Sequence, residues 1–288
     1  MQNLSQTLIT PPKIEMEELK NLFFQLSTKT CNLKCKNCYI QKNPYKNEDD
    51  FISLDKIKQT LLFIKNKKIK LNSIYLTGGE PLLHPDFNQI LRMCLKISNT
   101  TILTNGTMIN DKKARFLKKI DDESSFETIY RISIDSIDEI ENDNLRGRGT
   151  FRKALSAINS LIKYEFNPII SVVNYKNKKR SEIFKEFSEF FIKKGIEIED
   201  INLKIIPYFP REIELKEKDN LKDEILFDCK SSRVVSQNGI YSCPMLVGDY
   251  RARLGSTLED SSKNNYLDCE KCMVCIENNQ KIQINDWC

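Results

Sequence analysis

Six short runs rich in β-branched and aromatic residues alternate with amphipathic stretches. That alternation limits the folds open to this chain more than any other feature. Phe23-Phe-Gln-Leu-Ser27 reads as the first strand, followed by runs at Ser73–Thr77, Thr100–Thr104, Thr128–Asp135, Pro168–Val173 and Ile201–Ile206. Between the first two, Ser53 is placed to cap a helix whose inner face is Leu54, Ile57, Leu61 and Ile64. A second helix is expected from Pro85, with Phe87, Ile90, Leu91 and Cys94 at helical spacing, and a third over 111–120. Thr150 should cap a fourth, lined by Phe151, Ala154, Leu155, Ile158, Leu161 and Ile162. Ile183, Phe184, Phe187, Phe190 and Phe191 stripe a fifth. Repeats of this kind make a parallel sheet with helices outside, and right-handed crossovers curl it toward a barrel. The expected fold is α/β: a partial (βα)6 TIM-like barrel over 21–210, an N-terminal extension over 1–20, and a small Cys-rich C-terminal domain over 211–288. Chemistry in such folds gathers at the C-terminal ends of the strands.

The cysteines decide which chemistry. The chain has ten Cys but one His and one Trp. A single His84 excludes multi-His zinc or copper sites, HExxH proteases and His-rich di-iron centres. No apolar run is long enough to span a membrane, and the first residues lack the basic and apolar regions of a signal peptide. The chain therefore reads as cytoplasmic, and its thiols as metal ligands, catalytic groups or buried small residues rather than disulfides. Its net charge of +5 is mild for a chain with 30% charged residues, so no nucleic-acid partner is expected.

Cys31-x3-Cys35-x2-Cys38 puts three thiolates in one short loop after the first strand. Three thiolates hold three corners of a [4Fe–4S] cubane and leave one iron open. The alternatives are a zinc site, which wants a fourth ligand that is absent nearby, and three unrelated buried cysteines. After the second strand stands Gly78-Gly79-Glu80-Pro81, otherwise readable as a plain turn. His84 reads as the residue that leads into a helix, and Cys94 as a small buried one.

The Cys triplet followed by Gly78-Gly79-Glu80-Pro81 resembles the radical S-adenosylmethionine superfamily, over roughly residues 20–210. The resemblance implies that the amino and carboxylate groups of S-adenosylmethionine chelate the open iron. An electron from the cluster then cleaves the sulfonium bond, and the 5′-deoxyadenosyl radical takes a hydrogen atom from substrate. It implies an external electron donor of the flavodoxin or ferredoxin type. Gly78, Gly79, Glu80 and Pro81 would receive the methionine ammonium, Ser133 and Asp135 the ribose, and Arg146 the carboxylate. Thr104 and Asn105, and more weakly Asn174, would line the pocket. Many members carry an aromatic residue just before the third Cys; here Asn37 precedes Cys38 and the aromatic follows as Tyr39.

The tail reads Cys229-x13-Cys243-Pro244, then Cys269-x2-Cys272-x2-Cys275, with Cys288 last. A hairpin over 234–243, turned by Asn238-Gly239, carries Cys243. This resembles the auxiliary-cluster domains called SPASM and twitch, in a tighter spacing. One further [4Fe–4S] cluster on Cys229, Cys243, Cys272 and Cys275 is expected, with Cys269 or Cys288 replacing one of them or serving a second cluster. A zinc ribbon is the alternative. Subfamily resemblance favours modification of a peptide or protein side chain as an oxidoreductase. The rivals are a small-molecule dehydrogenase or mutase and a non-catalytic iron–sulfur or zinc protein. The twenty residues before the first strand leave no room for a separate leader-binding domain, so another protein or the barrel surface would hold a leader.

Overall fold

A computed structural model of the chain describes residues 13–38, 40, 50–196, 199, 202–209, 228–262, 265–266, 271–272 and 274–275. The strands are β1 (Lys13–Ile14), β2 (Asn21–Gln25), β3 (Ser73–Thr77), β4 (Thr100–Thr104), β5 (Thr128–Ser133), β6 (Ile169–Asn174) and β7 (Leu203–Pro207), then β8 (Ser232–Ser236), β9 (Gly239–Tyr241), β10 (Arg253–Gly255) and β11 (Asn265–Tyr266). The helices are α1 (Leu54–Asn66), α2 (Phe87–Cys94), α3 (Asp111–Asp122), α4 (Glu139–Arg146), α5 (Thr150–Lys163) and α6 (Arg180–Ile192). Among the described residues nine strands form one sheet in the order β10-β9-β8-β2-β3-β4-β5-β6-β7, with no pairing between β7 and β10. From β8 to β7 every neighbouring pair is parallel. This is the expected mixed α/β architecture with an unclosed barrel sheet. No helix among the described residues is long and apolar enough to cross a membrane.

Alternation along the strands gives the sheet two apolar faces. Leu22, Phe24, Ile74, Leu76, Ile102, Tyr130, Ile132, Ile170 and Val172 pack against the helices in the main core. The opposite face of the first strands, with Phe23, Tyr75 and Val234, builds a second cluster inside the curve of the sheet. Phe23 and Tyr75 stack there with ring centroids 4.4 Å apart. Each fully buried Leu, Ile or Phe contributes about 1.5–3 kcal/mol relative to exposure.

Several boundaries move from the expected ones for identifiable reasons. The first strand ends at Gln25, because Ser27 leaves the ladder to form an isolated bridge with Phe51. Pro81–Leu83 forms a 3₁₀ turn capped by the Glu80 side chain, so α2 begins at Phe87. The cap of α5 is Gly149, at φ 76°, and Thr150 is its first residue. Helix α4 is unforeseen by periodicity: Asn142 is its buried residue, and Ile140 is 74% exposed. Capping makes it, since Asp138 accepts from the Glu141 amide and Gly147, at φ 121°, ends it.

The tail hairpin forms as read, with its turn one residue earlier, since Ser236 pairs with Gly239. Strand β8 then lies parallel to β2, so the hairpin continues the barrel sheet. The charge-dense segment expected as a linker, 211–225, lies outside the described residues.

Candidate functional site

The Cys loop is held against the end of β3 by close backbone contact. Gly79 N–H donates to Ser27 O at 3.1 Å, and Glu80 N–H to Thr30 O at 3.0 Å. A Cβ on Gly79 would sit 2.1 Å from Thr30 O, and one on Gly78 2.7 Å from Ser27 O. Gly78 also has φ 137°, which side-chain-bearing residues rarely adopt. The glycine pair therefore first serves to seat the loop that carries Cys31.

Asp50 fixes the other side of that loop. Its carboxylate accepts from the backbone amides of Thr28 (2.9 Å), Lys29 (2.6 Å) and Thr30 (2.6 Å), and from the Thr28 hydroxyl (3.0 Å). Burial pushes its pKa up, but bonds from Thr30, Thr28 and Lys29 outweigh that, and the net shift is downward. A depressed carboxylate stabilises the folded state above its unfolded value near 3.9, and that contribution is lost as pH falls through the folded pKa, below about pH 4. Asp50→Ala should lower stability by about 2–3 kcal/mol, seen as a fall of roughly 5 °C in the melting midpoint. Asp50→Asn should fall between Ala and wild type. Equal midpoints for all three would refute the cradle.

Cys31 and Cys35 are half-buried and Cys38 is exposed. The Cys31 sulfur accepts from Leu33 N–H at 3.4 Å, and the Cys35 thiol donates to Arg146 O at 3.6 Å. Lys36 N–H reaches Leu145 O at 2.8 Å, so the C-terminus of α4 buttresses the loop. Burial pushes the Cys35 thiol up, the Arg146 guanidinium pulls it down, and Cys38 and Cys31 push it up. The three sulfurs thus lie within electrostatic reach of one another and of Arg146. Asn37 Nδ2 is buried in the same loop with no hydrogen-bond partner among the described residues. An orphaned donor beside three thiols fits a loop that carries a bound group. Tyr39 lies outside the described residues.

Glu80 ties β3 to β4. Its Oε1 accepts from the Thr104 hydroxyl at 2.6 Å and from Leu82 N–H at 3.2 Å, while Oε2 accepts from Asn105 N–H at 2.9 Å. Burial raises its pKa against the pull of those bonds. Asn105 in turn donates to Asn32 Oδ1 at 2.9 Å and accepts from Thr107. Asn32 and Thr107 were not foreseen; their sign in the sequence is only their nearness to Cys31 and Asn105.

Asp135, just past β5, joins three elements. It accepts from Val173 N–H at 3.1 Å and from Arg146 Nη1 at 3.0 Å, and its own N–H donates to Asn142 Oδ1 at 3.0 Å. The Arg146 side chain is 12% exposed, and Arg146 ends α4. It is therefore a largely buried residue of the helix end. Ser133 pairs in register with Ser171 on β6. A crevice of about 250 Å³ opens beside Asp135, Ser136, Glu141, Val173 and Asn174. Asn174 closes its own loop by bonding both ways with the Lys178 backbone. His84 bonds Ile52 O at 2.9 Å and accepts from Asp86 N–H at 3.1 Å, a structural role as read. Cys94 is fully buried, and burial pushes its thiol far up.

At the other end of the sheet, Cys229 precedes β8 and Cys243 follows the antiparallel β9. Both therefore stand at the N-terminal edge of the parallel strands, whereas Cys31 follows the C-terminal end of β2. Cys229, Cys243, Cys272 and Cys275 share the apolar cluster built on Phe23, Tyr75 and Val234. Burial drives the Cys275 thiol well up, helped by Cys243 and Cys229. Cys269 and Cys288 lie outside the described residues. Among the described residues, no three His, Cys, Asp or Glu side chains close on one point tightly enough for a single metal ion. A cubane distributes its thiolates over four irons instead of one.

Residues 26–186 match the family described as the Radical SAM superfamily. The chain belongs to that superfamily. Membership makes it a radical SAM enzyme and brings the family's cofactors, a [4Fe–4S] cluster and S-adenosylmethionine. The antilisterial bacteriocin subtilosin biosynthesis protein AlbA of Bacillus subtilis (strain 168) is 32% identical over 136 residues, which is 46% of this chain and 29% of AlbA. The GTP 3',8-cyclase of Microcystis aeruginosa (strain NIES-843 / IAM M-2473) is 32% identical over 149 residues, 48% of this chain and 43% of the cyclase. The chain spans less than half the length of these two relatives. Among solved structures, native anSMEcpe with bound AdoMet and Cp18Cys peptide superposes with a TM-score of 0.62 at 19% identity, over 91% of this chain and 82% of that one. That structure shares the fold.

Proposed function

We propose that this radical SAM enzyme oxidises a peptide or protein side chain held inside the open barrel. The observation that carries the reading is the placement of two thiol sets at opposite edges of the parallel strands, Cys31, Cys35 and Cys38 past the C-terminal end of β2 and the tail cysteines in one apolar cluster with the stacked Phe23 and Tyr75. AlbA, a bacteriocin biosynthesis protein, lends it support. Cys31, Cys35 and Cys38 would hold the first cluster through three irons. The backbone carbonyls of Gly78 and Gly79 are the freer acceptors for the methionine ammonium, because the Glu80 carboxylate already bonds Thr104, Leu82 and Asn105. Pro81 sets the turn that holds Glu80 in place. Arg146, with one nitrogen on Asp135, keeps others for the methionine carboxylate. Ser133 and Asp135 would meet the ribose, with Thr104, Asn105 and Tyr39 around the pocket. The cofactor pair supplies a 5′-deoxyadenosyl radical for hydrogen abstraction. The stacked rings and the aliphatic inner face keep water from it.

We place a second [4Fe–4S] cluster on Cys229, Cys243, Cys272 and Cys275, with Cys269 and Cys288 as the reserve ligands. Its support is the shared apolar setting and mutual influence of those thiols. A flavodoxin- or ferredoxin-like protein would supply electrons, and free thiols of this number suit the cytoplasm.

The second reading, a small-molecule radical enzyme, rests on the GTP 3',8-cyclase similarity. The test is anaerobic incubation of the reconstituted full chain with S-adenosylmethionine and dithionite, together with short peptides encoded beside its gene, or with GTP. A peptide losing two hydrogens, or gaining an internal crosslink, in step with 5′-deoxyadenosine supports the first reading. Turnover of GTP with inert peptides replaces it with the second.

A further inference from the structure

Arg233 on β8 is the largest fully buried side chain among the described residues, at 1% exposure. Its Nη1 donates to Cys229 O and to Ser232 O, both at 2.7 Å, and its Nε donates to Ser261 O at 2.8 Å. All three acceptors are neutral carbonyls. They accept from Nη1 and Nε without balancing the guanidinium's charge. A cation buried this way is unfavourable unless an anion lies near it. Among the described residues no carboxylate bonds this buried charge, and it is tied to the backbone of Cys229, the first tail thiol.

A cubane on four thiolates is doubly negative when oxidised and triply negative when reduced. A fixed positive charge beside it stabilises both states, and the reduced one more. We infer that Arg233 is the internal counter-cation of an iron–sulfur cluster on Cys229, Cys243, Cys272 and Cys275, and that it makes that cluster easier to reduce. The inference rests on the tail reading above. Arg233 touches no substrate in this role; it acts through the charge it holds beside the ligands. Its second effect is to hold the Cys229 carbonyl, and the test must separate the two.

The experiment uses the full chain with Cys31, Cys35 and Cys38 replaced by Ala, reconstituted anaerobically, so that only the tail reports. Iron content and a redox titration followed by electron paramagnetic resonance are compared for Arg233, Arg233→Gln and Arg233→Lys. The Gln variant should keep its iron and show at least a tenfold lower ratio of reduced to oxidised cluster at a fixed potential, which is about 59 mV for a one-electron step. Lys, which keeps the charge and loses the fork, should stay much nearer to Arg. Equal potentials for Arg and Gln at equal iron overturn the inference. Should Gln lose iron, Lys decides. Iron and potential kept by Lys support the charge, whereas iron lost from Lys as well overturns it and leaves only the backbone tie. A parent protein that binds no iron fails earlier and differently: the tail reading itself falls, before any Arg233 variant is compared.

Discussion

Replacing Cys31, Cys35 and Cys38 together by Ala should abolish reductive cleavage of S-adenosylmethionine. The three sulfurs lie within electrostatic reach of one another on a loop seated by Gly78, Gly79 and Asp50. Removing all three leaves no ligand for the irons that such a loop would hold. The readout is 5′-deoxyadenosine formed anaerobically with dithionite. Iron gives an independent count: about eight per chain in the wild type and about four in the triple variant, if each end holds one cubane. Cleavage at the wild-type rate by the triple variant would sink the mechanism. A wild-type count near four with one tight zinc would turn the tail into a zinc ribbon.

Arg146→Ala should weaken S-adenosylmethionine binding about ten- to a hundredfold, about 1.5–3 kcal/mol, with iron content unchanged. The expectation follows from a largely buried guanidinium that holds Asp135 at 3.0 Å and acts electrostatically on Cys31 and Cys35. Lys should replace it poorly, because an ammonium cannot make two parallel bonds to one carboxylate. Affinity is read by titrating the reduced cluster's paramagnetic signal with S-adenosylmethionine. Melting midpoint is the control, since the Ala variant also strands Asp135. Unchanged affinity in Arg146→Ala would reduce Arg146 to the partner of Asp135.

What the sequence disclosed and what it hid divide along sequence distance. The Cys triplet, the Gly78–Pro81 turn and the six strands were legible because each signal lies within a few neighbouring residues. Helix α4 was not, for its inward residue is Asn142 instead of an apolar stripe, although Asp138 and Gly147 marked its ends. Asp50 was invisible because its partners at Thr28, Lys29 and Thr30 lie 20–22 residues before it. The tail hairpin announced its turn, but its pairing partner was hidden. Nothing in Ser232–Ser236 itself points to Asn21–Phe24. That choice is made by the sheet, where the edge of β2 away from β3 and an inner face with Phe23 and Tyr75 await cover.

The pairing of β8 with β2 also bears on how the molecule can be divided. Lys20 and Asn21 N–H both donate to Ser231 O, and Glu17 N–H donates to Lys230 O, so the chain's early part is stitched to its late part. A protein cut before Ser231 would end in an exposed row of peptide groups along β2, flanked by bared aromatic rings. Such an edge invites pairing with other chains. The barrel and its cysteine-bearing tail are thus poor candidates for separate expression, grafting or exchange. Between relatives, a workable swap would have to carry β2 and its partner strand together.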